Sequence, residues 1–514
     1  MRLNRTQNAI RNIIWGLIYK IVILIFPFII RTVIIKNLGI DYLGLNGLFT
    51  SILNMLNLTE LGVGTAIVYS MYKPISENDT DAICALMQLY KKLYRIIGLI
   101  VLAIGLGLLP FLDRLIQGTT PPEINLYTLY LIYLGKTVAT YFLFAYRACL
   151  LNAYQRTDVI SKIMLFLNCG MYILQILSLY VLKNFYIYAI IQPLCVGAIN
   201  IFSAIAAKKM FPKFECKGEV NKEVKLSIKK RVTGLMMSKV AAMSRTAFDS
   251  VIVSAFLGLA IVGKYDNYFY VVSSVSALLV IVMTSISAGL GNSIAMESVE
   301  KNENDLYCIN NVYLFIAMLC FSCFIACYQP FMSLWVGVDN LFPDYIMFSF
   351  AAYFLAEKTL NVIGQYYDAA GLWWHGKWKG FVEAIVNLVL NIILCKVFGV
   401  NGIILATVGT ILFIGFPLTA FYTYKYYFKK KSVKFILTEY FQVIVYLMIG
   451  GGVYWVLKFV HFNNSVNSLI LCMIVRTIVA IVISTLLTVT VFGKSKGFKN
   501  SLKWIKNHVS LSKR

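Results

Sequence analysis

Residues 12–36 read NIIWGLIYKIVILIFPFIIRTVIIK, and how that stretch is read decides the class of the whole chain. From Ile13 to Ile35 it is almost continuously apolar, interrupted by Lys20 and Arg31. About 20 such residues in a helix cover the roughly 30 Å hydrocarbon layer of a bilayer. The same pattern recurs along the chain. Fourteen membrane spans are expected, near 10–36, 43–70, 93–112, 124–150, 159–182, 186–207, 232–257, 265–292, 307–327, 342–368, 379–397, 402–424, 436–457 and 468–492. Most of the 47 Lys and Arg fall on alternate connections. Basic residues close to span ends are retained on the cytoplasmic side, so the expected topology is N-in and C-in.

Composition agrees with this class. Hydrophobic residues make up 59% of the 514, and the mean hydropathy of +0.75 is too high for a soluble domain. The net charge of +24 is mainly a consequence of topology. Its clusters, Lys208 to Arg231, Lys425 to Lys434 and Lys494 to Arg514, suit contact with anionic membrane lipids. No aromatic-basic platform accompanies them, so nucleic acid is not an expected partner. The opening MRLNRTQNAIRN is polar and basic and runs into a segment long enough to span, so the first span is expected to act as an uncleaved anchor. The 11 Cys lie in spans or cytoplasmic loops, which implies no disulfide framework. Cys320, Cys323 and Cys327 share a helix face without nearby His or Asp, and read as small packing residues rather than metal ligands.

The organisation is expected to be two lobes, 1–207 and 232–424, joined by the basic linker 208–231. An extra pair of spans follows over 436–492, then a basic tail over 493–514. The lobes carry a faint internal repeat. LGIDYLGLNGLF (38–49) resembles LGLAIVGKYDNYF (257–269), and GVGTAI (62–67) resembles GLGNSI (289–294). A parallel repeat about the membrane normal suits alternating access.

Ionisable side chains at mid-bilayer cost at least about 2.5–3.5 kcal/mol, so each one needs a reason. Lys20 and Arg31 are about three turns apart on one face of the first span, with Pro27 between them. Lys136 sits near the middle of the fourth. None has an acidic residue spaced to neutralise it within its own helix, although Glu60 on the second helix is a possible partner for Lys20. A cation facing a cavity suits an anionic ligand, and the planar fork of Arg matches phosphate. Polar stripes recur at helical spacing: Asn46, Thr50, Asn54 and Asn57; Glu357, Asn361, Gln365 and Asp368; Glu383, Asn387 and Asn391. Such stripes face a neighbouring helix or a water-filled cavity. The Asn residues suit helix–helix glue as well as a ligand surface. Arg245 and Asp249, four apart, suit an internal ion pair as well as a site. His375, His461 and His508 are all in loops or the tail, and no phosphate-binding Gly-Lys loop is present. The chain is therefore expected to be neither an enzyme nor dependent on a cofactor or metal.

The stretch FPFIIRTVIIKNLGIDYLGLNGLFTSILNMLNLTELGVGTAIVYSMYKPISENDTDAI (26–83) resembles the opening of bacterial polysaccharide-unit flippases, for O-antigen, capsule or exopolysaccharide. These belong to the multidrug/oligosaccharidyl-lipid/polysaccharide exporter superfamily. The resemblance continues at RTAFDSVIVSAFLGLAIVGKYDNYF (245–269), LWVG (334–337), EAIVNLVLN (383–391) and GVNGI (399–403). It implies an all-α membrane protein of two six-helix lobes around a V-shaped cavity, with two further C-terminal helices. The implied substrate is an undecaprenyl-pyrophosphate-linked oligosaccharide turned from the inner to the outer leaflet of the bacterial cytoplasmic membrane. A polymerase and chain-length proteins would be its partners in assembly. Arg31 falls at the family's first-helix Arg and Asp249 at its seventh-helix Asp. In this picture Arg31, Lys20 and Lys136 attract pyrophosphate, and Asn54, Asn57, Asn361, Gln365 and Asn387 meet sugar hydroxyls. Glu60, Arg245, Asp249, Glu357, Asp368 and Glu383 serve in ion coupling or gating. The competing expectation is a drug or metabolite exporter of the same superfamily, coupled to H⁺ or Na⁺.

Overall fold

The computed structural model describes residues 5–57, 62–459 and 466–511, with side chains described outside 5–10, 145, 234–235, 237–246, 282, 284–288, 466–467, 505 and 507–511. Among these residues the chain is helical and contains no strand. It divides into two units. The first, Met1–Gly263, holds α1 (Arg5–Asn37), α2 (Ile40–Leu56), α3 (Val63–Glu77), α4 (Thr80–Gly107), α5 (Leu126–Phe142), α6 (Ala148–Ala153), α7 (Thr157–Leu177), α8 (Phe185–Met210), α9 (Lys222–Leu257) and the start of α10 (Leu259–Met296). The second, Lys264–Arg514, holds the rest of α10 with α11 (Val299–Val336), α12 (Asp344–Ala369), α13 (Lys379–Thr410), α14 (Phe416–Thr423), α15 (Val433–Leu457), α16 (Val466–Phe492) and α17 (Lys496–Leu511).

Every expected span overlaps helix among the described residues. Eight stretches among the described residues are long and apolar enough to cross a membrane, and one of them, Lys379–Phe428, covers two expected spans. That 50-residue stretch is broken at Gly399, whose φ of 56° and ψ of −136° are reserved in practice for glycine. The α4 helix bends by 57° into a 3₁₀ turn over Leu109–Leu115 at Pro110, so this expected span is a bent pair. The second expected span is also discontinuous: α2 ends at Asn57, and α3 starts after Gly62 in a left-handed conformation. Side-chain caps start several helices where the chain turns at the membrane edge. Asp79 accepts from the amide of Ala82, Asn125 from Thr128, Asn184 from Tyr186 and Ile187, and Ser298 from Lys301.

The internal repeat has a structural counterpart. Gly39, between α1 and α2, and Gly258, between α9 and α10, have nearly the same backbone (φ 110°, ψ 167° and φ 89°, ψ 170°). Five residues later come Gly44 and Gly263, and these meet reciprocally. A Cβ at Gly44 would lie 2.1 Å from the carbonyl oxygen of Leu259, and one at Gly263 would lie 2.7 Å from that of Ile40. Glycine is required at both because the two backbones touch. The rest of the first unit packs α1 on α7, α7 on α8, α8 on α5, α5 on α4 and α2 on α9.

In the second unit α11 is the hub, packed against α12, α15, α16 and α17. Its contact with α16 is made by small polar groups. Ser484 donates to Ser322 at 2.6 Å, and Cys327 and Thr477 lie 2.9 Å apart. Side chains of this kind let membrane helices approach and join. The basic tail contains a helix, α17, fastened to α11 by Trp504 Nε1 donating to Asp305 at 3.0 Å and by Asn311 donating to Ser501 at 3.3 Å.

Candidate functional site

Four helices of the first unit bring polar groups to one seam. On α5, Tyr133 and Lys136 are three apart and share a face; on α8, Tyr188 and Gln192 are four apart and do the same. Because α5 packs on α8, the two faces meet. Lys136 Nζ donates to Gln192 Oε1 at 2.7 Å, and Gln192 in turn bonds Tyr188. Half-buried Arg31, from α1, is within electrostatic reach of Tyr188. Tyr133 donates to Asn46 of α2 at 2.6 Å. The seam thus holds cations, phenols and carboxamides. Among the described residues the group bonded to Lys136 is a neutral amide, which orients the ammonium without neutralising it, an arrangement fit to receive an anion.

Beside the C-terminal end of α2 lies a cavity of about 560 Å³, lined by Asn57, Thr65, Tyr72, Tyr90, Tyr94 and Asn152 among others. Asn57 joins it to α5 by accepting from Tyr141 at 2.9 Å. Tyr90 donates to Tyr94 at 2.7 Å, and Gly64 makes room for that pair, since a Cβ there would come within 2.7 Å of the Tyr90 hydroxyl. Hydroxyls, carboxamides and aromatic faces together suit a polyhydroxylated ligand. Of this lining, sequence reasoning singled out Asn57 alone. The signal it missed is the Tyr90–Tyr94 pair at a four-residue spacing opposite the glycines of GVGTAI.

The other expected site residues divide by environment. Lys20 and Asn54 are exposed on α1 and α2. Asp249 is buried with Ser250 and Ser254 on α9. Glu60 lies outside the described residues, and Arg245 is described only as helical backbone. In the second unit Lys358 is fully buried, 2.8 Å from both Glu357 and the hydroxyl of Ser276. Asn361 donates to Tyr313 at 2.6 Å; Gln365, one turn on, is half-buried. Asp368 is exposed and accepts from Trp373 at 2.8 Å. Glu383 is buried against Gly415, where a π-helical turn lacks the Cβ that would clash with its carboxyl. Asn387 donates to Thr407 at 3.1 Å and accepts from Asn391 at 3.4 Å, both within buried helix contacts. No group of three or more His, Cys, Asp or Glu able to hold a metal occurs among the described residues.

The fold is shared with solved transporter structures. The chain superposes on a lipid II flippase, MurJ, in an inward closed conformation, with a TM-score of 0.66 and 17% identity over 94% of this chain and 99% of that one. It superposes on an inward-facing multidrug resistance MATE family transporter of the MOP superfamily with a TM-score of 0.60 and 13% identity over 84% and 98% of the two chains. For a MOP superfamily transporter from Pyrococcus furiosus the TM-score is 0.54 at 15% identity, over 80% and 94%. No family model and no curated protein matches the chain. The chain therefore shares the fold of these transporter structures, as the sequence resemblance implied, and carries eight helical stretches long and apolar enough to cross a membrane among the described residues.

Proposed function

We propose that this chain is a flippase that carries undecaprenyl-pyrophosphate-linked oligosaccharide from the inner to the outer leaflet of a bacterial cytoplasmic membrane. It acts by alternating access, with both termini in the cytoplasm, and serves surface polysaccharide assembly. The observation that carries this reading is the seam of the first unit, where Arg31 and Lys136 stand among Tyr188, Gln192, Tyr133 and Asn46. A diphosphate needs cations in a site that is otherwise uncharged, and the sugars attached to it need hydroxyl and amide partners. The cavity bounded by Asn57, Tyr90, Tyr94 and Asn152 supplies the second set beside the first unit's α2. A neighbour in fold is a lipid II flippase, and lipid-linked cargo is in keeping with that.

In this reading Arg31 and Lys136 hold the pyrophosphate, and Lys20, exposed on α1, draws it in from the headgroup region. Asn54, Asn57, Asn361 and Gln365 contact sugar. Asp249, Glu357 and Glu383 serve in coupling or in closing a gate. The basic tail and linker contact anionic lipid, and polymerase and chain-length proteins take over the product.

The test is made in a strain lacking the gene, by quantifying carrier-linked oligosaccharide together with surface polymer. Carrier-linked units should accumulate and polymer should disappear. The wild-type gene should restore both, Arg31→Ala neither, and Arg31→Lys part. Normal export by Arg31→Ala at equal protein level would remove Arg31 from the site. Unchanged carrier pools in the deletion strain, with altered susceptibility to organic cations, would replace the flippase reading with a drug exporter.

A further inference from the structure

The α15 helix carries a carboxyl group that the reading above leaves unused. Glu439 stands six residues into the helix, about 9 Å along its axis, and is 1% exposed. Its Oε1 accepts from Nδ2 of Asn310 on α11 at 2.5 Å, and Asn310 is equally buried. The other halves of the two groups are orphaned: Oε2 of Glu439 and Oδ1 of Asn310 are both buried without a hydrogen-bond partner among the described residues.

Both orphans are oxygens, and an ionised carboxylate has no hydrogen to offer. A buried acceptor left without a donor is destabilising, and here there are two on directly bonded side chains. A single proton on Oε2 resolves both, because the acid O–H then donates to Oδ1 while Oε1 continues to accept from Nδ2. The result is a closed carboxylic acid–carboxamide ring across the α11–α15 contact. Among the described residues, the titratable groups within electrostatic reach are the phenols of Tyr307 on α11, Tyr446 on α15 and Tyr424 in the turn after α14. Asn310 is the side chain bonded to Glu439, and no charged side chain of α11, α12, α14 or α16 is among its described partners.

We propose that Glu439 and Asn310 form a proton-binding site that ties the C-terminal helix pair to the α11 hub. Binding of one proton closes the ring. Its loss leaves a carboxylate facing a carbonyl oxygen and loosens α15 from α11. The site is independent of what the protein carries, so it stands or falls separately from the flippase reading.

The experiment is infrared difference spectroscopy on the full-length protein in lipid nanodiscs at neutral pH, in choline and in sodium buffers. The expected result is a protonated carboxyl C=O band that shifts on deuteration and is lost in Glu439→Gln. Asn310→Ala should shift the same band to the position of a weaker hydrogen bond. Glu439→Gln can form the same ring through its own amide, so its melting temperature should stay close to wild type while that of Glu439→Ala falls. A spectrum in which Glu439→Gln removes only a carboxylate band would overturn the proposal. So would a wild-type C=O band that sodium bleaches, which would make the occupant a metal cation taken up by these oxygens and Oε1 of Gln442, a third buried orphan. Should Glu439→Gln fail to fold, Asn310→Ala decides alone: an unshifted band excludes the ring.

Discussion

Lys136 in the first unit and Lys358 in the second are both lysines on apolar helices, and their surroundings treat them in opposite ways. Lys358 is sealed, with no exposure, a carboxylate at 2.8 Å, a hydroxyl at 2.8 Å and the Phe354 ring beneath its ammonium. Lys136 is half-buried and held by the neutral Gln192. A cation neutralised inside the fold contributes to packing; a cation oriented by a dipole keeps its charge for a ligand. The contrast separates two settings of one chemistry, and in the proposed reading it assigns the anion site to the first unit.

Breaking the sealed pair should give the largest effect on stability. Lys358→Ala takes the ammonium from Glu357 and leaves a cavity where the buried lysine stem was; loss of one member of a buried pair costs about 3–5 kcal/mol, here towards the lower end because Glu357 is 31% exposed and keeps its bond from Ser276. Thermal unfolding in detergent should show a large drop in melting temperature, with the Glu357→Gln/Lys358→Met double variant recovering much of it. If Lys358→Ala melts like wild type, the pair is not structural and the contrast collapses.

Lys136→Gln should do the reverse, leaving melting nearly unchanged while weakening transport. Loss of a charge-assisted contact to an anion costs about 1.5–3 kcal/mol, so export should fall by roughly tenfold or more. Quantified surface polymer at matched protein level checks this. A variant that unfolds instead would assign Lys136 to packing, alongside Lys358.

The glycine crossing offers a smaller perturbation that touches neither lysine. Gly44→Ala forces backbone apart at Leu259, and overpacking of this kind costs about 1–3 kcal/mol. Melting should fall for Gly44→Ala and Gly263→Ala alike, since their contacts are reciprocal. An effect at one site only would show that the repeat is not matched there. The smallest effect belongs to Lys73, which pairs with Glu77 at 3.8 Å on an exposed face. Lys73→Ala should change neither melting nor export measurably, since exposed pairs of this kind contribute little, which makes it the control for the other charge removals.

Much of the candidate site is legible in the sequence alone. Arg31 and Lys136 stand out because any cation inside an apolar run is costly, whatever surrounds it. The polar stripe on α12 was equally visible, but its division of labour was not. Glu357 turns towards Lys358 and Ser276, Asn361 meets Tyr313, and Asp368 emerges at the surface to meet Trp373. The π-turn that seats Glu383 at Gly415, and the break between α2 and α3, had no clear signature in hydropathy, which averages over such one-turn irregularities.

What the sequence determined by itself is the class of protein and its expected spans, because hydropathy over 20 residues and the placement of Lys and Arg are local properties that need no partner. What only the tertiary structure decided is which polar group meets which. Lys136 and Gln192 are 56 residues apart, and Asn310 and Glu439 are 129 apart. Each pairing depends on how the helices turn about their own axes. In a soluble helix a polar face betrays that rotation. In these helices lipid and core are equally apolar, so the rotation is set by the small and polar contacts between neighbours, and those exist only once the helices are packed.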